Sequence, residues 1–420
     1  MGKSKAVRAL VLFSGGLDSM LAARVLMDQG IKVIGICFSS NFFDCGRARE
    51  SAKIIGIDLI EENISEKILS IVKCPSCGYG KNMNPCIDCH SLMIREAGKY
   101  LKKASAELTS PPSGKHTPSR SPSAIGLPLA KGERIKFPDN LSDKRLSDFI
   151  ATGEVLGQRP FSQNKEALEK VAKMAGVEVL RPLSAKLLPE TYAEKNGFVT
   201  RERLLDIKGR SREAQMKLAK KFGIKNYPSP AGGCLLTDPE GGKKVLDIIT
   251  HCPDCKTEDV ELLKYGRVFW LKLEMAGDAK IRQNTPKITL SLKNSLKSLI
   301  GKNLKDVRIE ADINFHWVMV IVGRDRDESE KLEKLAKNGD IVVKLDELTG
   351  PTTLVRITNY ELRIKNDLIE TLIPEKINLA ELKMDSIKKE SDVFKTVGLL
   401  TGYYATKARG KNVLLNVRIK

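Results

Sequence analysis

The stretch Ser14-Gly15-Gly16-Leu17-Asp18-Ser19 constrains the fold more than any other part of the chain. It follows a short apolar run, residues 7–13, and it leads into a segment with helical periodicity, residues 18–29. Glycines at such a junction let the backbone turn sharply, and the start of the helix then directs N–H groups and a positive dipole end at an anion. We therefore predict that this glycine loop (residues 14–19) binds phosphate groups. A plain glycine turn with a serine cap is the alternative.

Asp18 needs a separate interpretation within the glycine loop. A carboxylate is poorly suited to direct contact with a phosphate, because both groups are anionic. We predict instead that Asp18 positions Mg²⁺ or caps the following helix. Arg159 is a further candidate for neutralising phosphate charge, although a surface arginine would look the same in the sequence.

Short apolar runs alternate with helical patterns along the first half of the chain. The predicted strands are residues 7–13, 32–38, 148–152 and 178–182, and the predicted helices are residues 18–29, 44–55, 92–102 and 165–175. This alternation predicts an α/β fold with a doubly wound parallel sheet. Residues 103–147 interrupt it with a Pro/Ser-rich basic segment without periodicity, which we interpret as a low-complexity surface insertion, either passive or contacting RNA.

The second half of the chain has a different pattern of predicted helices and strands. Helical material over residues 201–222 gives way, beyond about residue 260, to predicted strands at 268–273, 287–292, 317–322, 340–344 and 353–357. We therefore predict a C-terminal α+β domain. The expected division is a nucleotide-binding domain over residues 1–185, a continuation of the catalytic region over residues 186–260, and a third region over residues 261–420.

The charge of the chain points to an anionic partner. Lys and Arg number 71 against 52 Asp and Glu, which gives a formal net charge of +19. Such a surplus favours nucleic acid, because neutralising phosphates releases counterions, although a lysine-rich solvated surface is the alternative. Apolar runs of the roughly 18 residues needed to span a bilayer do not occur, so we expect a cytoplasmic protein without membrane insertion.

Nine cysteines in a cytoplasmic chain argue against a disulfide framework and favour metal or sulfur chemistry. Six of them form three C-x-x-C pairs: Cys74/Cys77, Cys86/Cys89 and Cys252/Cys255. Cys37, on a predicted strand, and Cys45 are expected to be buried structural thiols. The pairs Cys74/Cys77 and Cys252/Cys255 together would suit a Cys₄ zinc site, or they lie in two separate exposed loops.

The glycine loop resembles the PP-loop of ATP pyrophosphatases, which cleave ATP between the α- and β-phosphates. The resemblance implies a five-stranded sheet of the adenine-nucleotide hydrolase type that binds ATP and Mg²⁺ at Ser14, Gly15, Gly16, Leu17, Asp18 and Ser19. The end of the second strand, with Phe38, would hold the adenine. Ala151-Thr152-Gly153-Glu154 resembles the A-T-G-H element of the family and implies nucleotide contact at Gly153. Glu154 stands where histidine is usual, which puts the role of that histidine in doubt.

The cysteine pattern resembles the tRNA-thiolating branch of the PP-loop proteins. Asn84-Pro85-Cys86-Ile87-Asp88-Cys89-His90 precedes a predicted helix, whose N-terminus should lower thiol pKa values, and Cys234 stands in a Pro/Gly-rich turn. The resemblance implies that Cys86, Cys89 and Cys234 bind a 4Fe–4S cluster with one open iron. The alternative without a cluster is a pair in which Cys89 and Cys234 carry and resolve a persulfide. Buried structural thiols are the third interpretation.

The C-terminal region resembles the RNA-binding domain of the NFACT proteins. The similarity rests on a G-R-[ND] element at residues 323–325, on Asn338-Gly339-Asp340-Ile341, and on the ending Tyr403-Tyr404-Ala405-Thr406-Lys407-Ala408-Arg409-Gly410-Lys411, which is similar to a helix of that domain. Aromatic faces and cations suit stacked bases and phosphates. The resemblance implies RNA contacts by Arg324, Arg326, Tyr403, Tyr404, Lys407, Arg409 and Lys411. An amphipathic helix with a basic face is the alternative.

Together these features predict an ATP-dependent tRNA sulfurtransferase. The enzyme would adenylate a base carbonyl of uridine or cytidine and replace its oxygen with sulfur from sulfide, a cysteine desulfurase or a sulfur carrier. Two other classes remain open: a non-catalytic ATP-sensing factor that binds RNA or ribosomes, and a PP-loop ligase acting on a small molecule. A sensor would not need sulfur-handling residues, and a ligase would not need the C-terminal region.

Overall fold

The chain divides into two compact units. The computed structural model describes residues 7–80, 82–101, 148–227, 233–274, 315–357, 368–372, 386–387 and 390–420. The first unit contains Met1–Ile68 and Pro85–Gly233, and the second contains Leu69–Asn84 and Cys234–Lys420. The predicted insertion at residues 103–147 and the predicted strand at 287–292 lie outside the described residues.

The first unit is built on a parallel sheet of five strands. These are β1 (Arg8–Leu12), β2 (Lys32–Ser39), β3 (Asp58–Asn63), β4 (Phe149–Thr152) and β5 (Val179–Leu180), in the order β3-β2-β1-β4-β5. Alternate residues of β1 face opposite sides of the sheet. Ala9 and Val11 belong to one core, and Leu10 is equally buried on the other side, so both faces are covered. The unit thus has the predicted doubly wound α/β fold.

Strand β3 was not predicted from the sequence. Three of its six residues are Asp or Glu, so it lacks the apolar run that marks the other strands. It lies at the edge of the sheet and pairs on one side only, with β2. Charged side chains are common on edge strands because they discourage pairing with other chains.

Helices connect the strands of the first unit. They are α1 (Leu17–Met27), α2 (Gly46–Ile55), α3 (Ser65–Lys73), which continues into the second unit, α4 (Cys86–Gly98), α5 (Lys165–Ala175), α6 (Tyr192–Lys195) and α7 (Glu213–Lys221). The predicted bounds of α4 were wrong: the helix begins six residues earlier, at Cys86, directly after Pro85. The fixed φ of proline suits the start of a helix.

The helical prediction for residues 201–222 was wrong over much of its length. The structure has a 3₁₀ turn at Arg201–Arg203, and α7 begins only at Glu213. Between them the backbone of Ile207 donates to Leu183, and Gly209 has a φ of 83°. The chain is extended there by pairing with the segment after β5, and the positive φ prevents a continuous helix.

One disulfide corrects the expectation that all cysteines are thiols. Cys37 in β2 and Cys45, the residue before α2, are bonded to each other. Both are buried as predicted, and their Cα atoms lie 6.0 Å apart. That separation is in the usual range for a disulfide. The chain turns back between the two cysteines, which the sequence spacing alone does not reveal.

The second unit is built on a mainly antiparallel sheet of seven strands. These are β6 (Arg267–Glu274), β7 (Phe315–Val322), β8 (Ile341–Leu345), β9 (Thr353–Ile357), β10 (Leu368–Leu372), β11 (Ser386–Ile387) and β12 (Asn412–Ile419). Their order is β10-β12-β8-β9-β7-β6-β11, and β11 runs parallel to β6. The strands predicted at 268–273, 317–322, 340–344 and 353–357 are confirmed to within two residues. The unit therefore has the predicted α+β class.

Helices pack on both faces of the second sheet. They are α8 (Pro239–His251), α9 (Thr257–Glu261), α10 (Arg326–Leu335) and α11 (Glu390–Tyr404). Val393 and Val397 of α11 pack against the face that carries Val318 and Val320. The opposite face carries Trp270, which contacts His251 at the end of α8.

Within the described part of the chain, none of the helices combines the length and the apolar character that crossing a membrane requires.

Candidate functional site

The glycine loop connects β1 to α1 in the first unit, as predicted. Gly15 has a φ of 74°, a conformation that residues other than glycine rarely adopt. The Ser19 hydroxyl donates to the Gly16 carbonyl at 2.8 Å, and the Gly16 amide donates to the Ser14 hydroxyl at 3.4 Å. Leu17 is buried at the first position of α1. The loop therefore stands at a helix N-terminus, where backbone N–H groups suit an anion.

Two close backbone contacts hold the glycine loop in place. A Cβ atom on Gly15 would collide with the carbonyl of Arg47 in α2. A Cβ atom on Gly153, just after β4, would lie 2.5 Å from the amide nitrogen of Ser19. Both positions therefore require glycine for steric reasons. The hydroxyl of Ser51 in α2 also donates to the Gly15 carbonyl at 2.8 Å.

Asp18 has one carboxylate oxygen without a partner. Its Oδ2 accepts a hydrogen bond from Gln158 Nε2 at 3.0 Å, whereas Oδ1 is buried and has no hydrogen bond among the described residues. A buried oxygen of this kind suits a cation, and Mg²⁺ is usually held by one or two carboxylates together with substrate phosphates. Gln158 was missed in the sequence, where its exposed neighbour Arg159 drew attention by its charge.

Glu154 is the centre of a buried polar network beside the loop. Its carboxylate binds His90 Nδ1 at 2.8 Å, Arg181 Nε at 3.0 Å and the Thr152 hydroxyl at 3.1 Å. Burial alone would raise the pKa of Glu154, but hydrogen bonds and charge from His90 and Arg181 together lower it to about 2. The residue is therefore an anion, and its contacts with His90 and Arg181 tie α4 and the segment after β5 to β4.

His90 and Arg181 were not predicted as site residues. They lie 64 and 27 residues from Glu154, so the sequence offers no local pattern that joins them. The signal available was Glu154 itself, because a carboxylate at the end of a buried strand needs a cationic partner.

Phe38 and the three cysteines predicted to handle sulfur all lie among the described residues. Phe38 is buried near the end of β2. Cys86 and Cys89 lie in the first turn of α4, whereas the sequence analysis placed them just before a helix, and Cys89 is buried. Cys234 is the first residue of the longer segment of the second unit, and its carbonyl accepts a hydrogen bond from the Thr237 hydroxyl at 2.7 Å. Most of the Pro/Gly-rich turn before it, residues 228–232, lies outside the described residues.

The other two cysteine pairs lie in the second unit. Cys252 and Cys255 form a turn after α8, in which the Cys255 amide donates to the Cys252 carbonyl, and Lys73 Nζ donates to the Cys255 carbonyl at 2.5 Å. Lys73, the residue before Cys74, therefore contacts the Cys252/Cys255 pair. Burial raises the pKa of both thiols, that of Cys255 to about 11.

In the stretches that the structure describes, no three or more His, Cys, Asp or Glu side chains are grouped so as to hold a metal ion. The zinc and iron–sulfur assignments therefore rest on the sequence. Cys77 is half-buried and Cys74 is exposed.

Two of the residues predicted to contact RNA are engaged in ion pairs. Arg324 binds Glu328, at 2.9 Å and 3.0 Å through its Nε, and Arg326 binds Glu330 at 2.9 Å. Both pairs are four residues apart at the start of α10. The Arg324 pair lowers the pKa of Glu328 to about 2. Surface pairs of this kind are weak, so they leave the arginines able to exchange partners.

The ending at residues 403–411 is not one helix, which corrects the expectation from the resemblance. Helix α11 stops at Tyr404, Thr406–Ala408 form a 3₁₀ turn, and β12 begins at Asn412. Arg409 lies 4.5 Å above the ring of Tyr403. Arg267 of β6, which the sequence did not single out, lies 4.4 Å from the Tyr404 ring. Lys407 and Lys411 are exposed.

Two solved structures show a distant similarity to this chain. No protein-family model matches the chain. One of the two structures is a predicted subunit of a tRNA methyltransferase from Methanocaldococcus jannaschii, with 14% identity, 53% of this chain and 93% of that chain covered, and a TM-score of 0.26. NMN synthetase from Francisella tularensis is also similar, with 11% identity, 54% and 91% coverage, and a TM-score of 0.21. With TM-scores this low, neither match is evidence of a shared fold or function.

The contact between Gly153 and Ser19 generates the first prediction. The change Gly153→Ala forces a methyl group against the backbone of the glycine loop, so we expect ATP binding to weaken by about tenfold or more, a loss of at least about 1.4 kcal/mol. Titration with a fluorescent ATP analogue measures the effect. The control is Gly242→Ala in α8, where the nearest atom to a new Cβ is 3.5 Å away. Equal ATP affinity in the Gly153→Ala protein would contradict the described packing.

The ion pairs of Glu154 generate a pH prediction. A carboxyl group whose pKa falls from 4.5 to about 2 on folding stabilises the folded protein above pH 4.5 and loses this effect as the pH falls toward 2. Glu154→Gln should therefore lower the free energy of unfolding at pH 7 by about 2–3 kcal/mol, and the difference from the wild type should shrink toward pH 2. Urea unfolding followed by circular dichroism measures both.

The exposed change Glu169→Gln in α5 is the matched control and should behave as the wild type at both pH values. A difference between Glu154→Gln and the wild type that stays constant from pH 7 to pH 2 would refute the ionic role of Glu154.

Proposed function

We propose that this protein is an ATP-dependent tRNA sulfurtransferase. The observation that supports the proposal most directly is the glycine loop with its unpartnered Asp18 oxygen, because that arrangement offers an anion site and a cation ligand side by side. The chemistry requires both, because a nucleoside triphosphate carries negative charge and a metal ion held beside it would neutralise charge that develops during cleavage.

Different residues of the first unit would bind the phosphates of ATP, hold Mg²⁺ and orient the metal ligand. Backbone N–H groups of the glycine loop would bind the phosphates, with the Ser14 and Ser19 hydroxyls beside them. Asp18 would hold Mg²⁺, which supplies charge neutralisation to the phosphates when it is bound. Gln158 would orient the Asp18 carboxylate through the 3.0 Å hydrogen bond. The carbonyl oxygen of the base would attack the α-phosphate, and pyrophosphate would leave.

Adenylation prepares the base for sulfur. It converts a poor leaving oxygen into AMP, which a sulfur nucleophile then displaces to give a thiouridine or thiocytidine. We propose that Cys86, Cys89 and Cys234 handle this sulfur. The sequence suggests two routes. One uses a 4Fe–4S cluster, and the other uses a persulfide that one of Cys89 and Cys234 carries and the other resolves.

The second unit would hold the tRNA. The chain has a net charge of +19, and affinity for a polyanion comes mainly from contacts with phosphates. The Tyr403 and Arg409 pair, together with the exposed Lys407 and Lys411, offers an aromatic face beside cations. That combination suits a base and its phosphate. A sulfur donor is the second partner: sulfide would serve the cluster route, whereas the persulfide route needs sulfane sulfur transferred from a cysteine desulfurase or a sulfur carrier.

The role of Asp18 is the test of the nucleotide chemistry. Asp18→Asn keeps the side-chain shape and a partner for Gln158 but removes the charge, so we expect tRNA-dependent pyrophosphate release to fall at least about 100-fold, a loss of roughly 3 kcal/mol. Asp28→Asn, at the exposed end of the same helix, is the control and should keep full activity. Release of ADP and phosphate by the wild type, in place of AMP and pyrophosphate, would refute the proposal.

The three cysteines should act as one unit. Single changes of Cys86, Cys89 or Cys234 to Ser should each abolish thiolation, and double changes should be no worse than single ones. Cys74→Ser and Cys252→Ser are the controls and should keep turnover. Mass spectrometry of digested tRNA measures the thiolated nucleoside, and iron and sulfide assays after anaerobic reconstitution measure the cluster. A wild type that binds no iron yet thiolates tRNA would exclude the cluster and favour the persulfide route.

A further inference from the structure

A cavity of about 270 Å³ lies on the face of the second sheet opposite α11. Its apolar wall is formed by Ile248 of α8, Trp270 of β6 and Met319 of β7. Trp270 and Met319 are neighbours across the antiparallel pair of strands, so they present adjoining side chains on one face. The volume is close to the lower end of the roughly 300–1,000 Å³ typical of small-molecule sites, so it suits one small ring system.

The indole of Trp270 lacks a hydrogen-bond acceptor. The residue is only 8% exposed, and its Nε1 atom is buried without a partner among the described residues. Buried donors of this kind cost about 1–3 kcal/mol when they are left unsatisfied. Large buried indoles usually find a partner for the N–H group. An acceptor supplied by a ligand would satisfy this one.

The side chain of His251 does not supply that acceptor. Its ring centroid lies 4.7 Å from that of Trp270 and 3.9 Å from that of Trp317, a ring contact without a hydrogen bond between the residues. Burial lowers the pKa of His251 to about 4, so the ring is neutral at pH 7. His251 therefore adds no charge next to Trp270, although it does not itself line the cavity.

The charged residues around the cavity balance one another. Three carboxylates and three cations line it: Asp254, Asp259, Asp340, Lys256, Lys337 and Arg356. Two of the cations are already paired. Arg356 binds Asp340 through Nε at 2.8 Å and Asp259 through Nη1 at 2.9 Å, and Lys337 binds Asp259 at 3.1 Å. Among the described residues that line the cavity, a phosphate would meet three carboxylates and a single cation, Lys256, outside these pairs, so this lining disfavours an anion.

A neutral, flat ligand with both donors and acceptors fits these features. Nucleobases have this character, and proteins commonly bind unstacked RNA bases between apolar or aromatic side chains while reading their edges by hydrogen bonds. We propose that the cavity binds one nucleobase of an RNA strand, with the ring beside Trp270 and Met319 and with a base acceptor bonded to the indole N–H. Asn338, which also lines the cavity, offers a further donor and acceptor to the edge of the base.

This inference rests on RNA as the partner proposed above, and it is independent of the ATP chemistry. The proposal distinguishes two kinds of RNA contact made by the second unit. Phosphate contacts set affinity, whereas a pocket for a base selects a position on the RNA.

Tryptophan fluorescence tests the proposal directly, because the chain has only two tryptophans. In the full-length Trp317→Phe protein, Trp270 is the single reporter. We expect saturable quenching by at least one of uridine, cytidine, adenosine and guanosine, excited at the red edge of indole absorption where the bases absorb little. Ribose 5-phosphate, which lacks a base, should give none. Absence of saturable quenching by every nucleoside, or equal quenching by ribose 5-phosphate, would overturn the proposal.

The matched variant is Trp270→Phe, which keeps an aromatic ring but removes the N–H group. Calorimetric titration should show nucleoside affinity about 5–10-fold weaker than in Trp317→Phe, as expected for one lost hydrogen bond. Asn338→Ala provides a second variant on the surface of the cavity and should also weaken binding. Equal affinity in Trp270→Phe and Trp317→Phe would overturn the proposed hydrogen bond. Nucleoside binding without pyrophosphate release would refute the proposed enzyme and leave the base pocket standing.

Discussion

The contact between the backbone after β4 and the start of α1 is the constraint on which the first unit depends. Gly153 touches the Ser19 amide so closely that even a methyl group would not fit. β4 pairs directly with β1, so the two strands end side by side and deliver both segments to one place. The shape of the glycine loop is thus imposed from outside by tertiary contacts, which is the preorganisation that an anion site needs.

The same short segment after β4 also carries the charge of the site. Glu154 follows Gly153 directly and collects His90, Arg181 and Thr152 around one carboxylate. Gly153 therefore holds the glycine loop by steric contact. Its neighbour Glu154 holds α4 through the hydrogen bond with His90. Since α4 begins with Cys86 and Cys89, the position of these thiols depends on an interaction made at the end of a strand.

Much of the secondary structure of both units could be predicted from the sequence, because its signals are local. Helix α5 and strand β9 were predicted with their observed bounds, since apolar periodicity and flanking residues determine them. The disulfide between Cys37 and Cys45 was not predicted, and neither was the hydrogen bond from Gln158 to Asp18. These depend on where the chain turns and on residues 140 apart, and no pattern in a single sequence encodes such distances.

The contact between Glu154 and His90 limits which substitutions the sequence can accept at these two positions. If residue 154 became a histidine, two imidazoles would lie beside the Arg181 guanidinium with no anion between them. A change at residue 90 alone would remove one hydrogen-bond partner of the buried carboxylate. Each single replacement therefore disrupts the buried contacts around Arg181, so we expect residues 90 and 154 to change together.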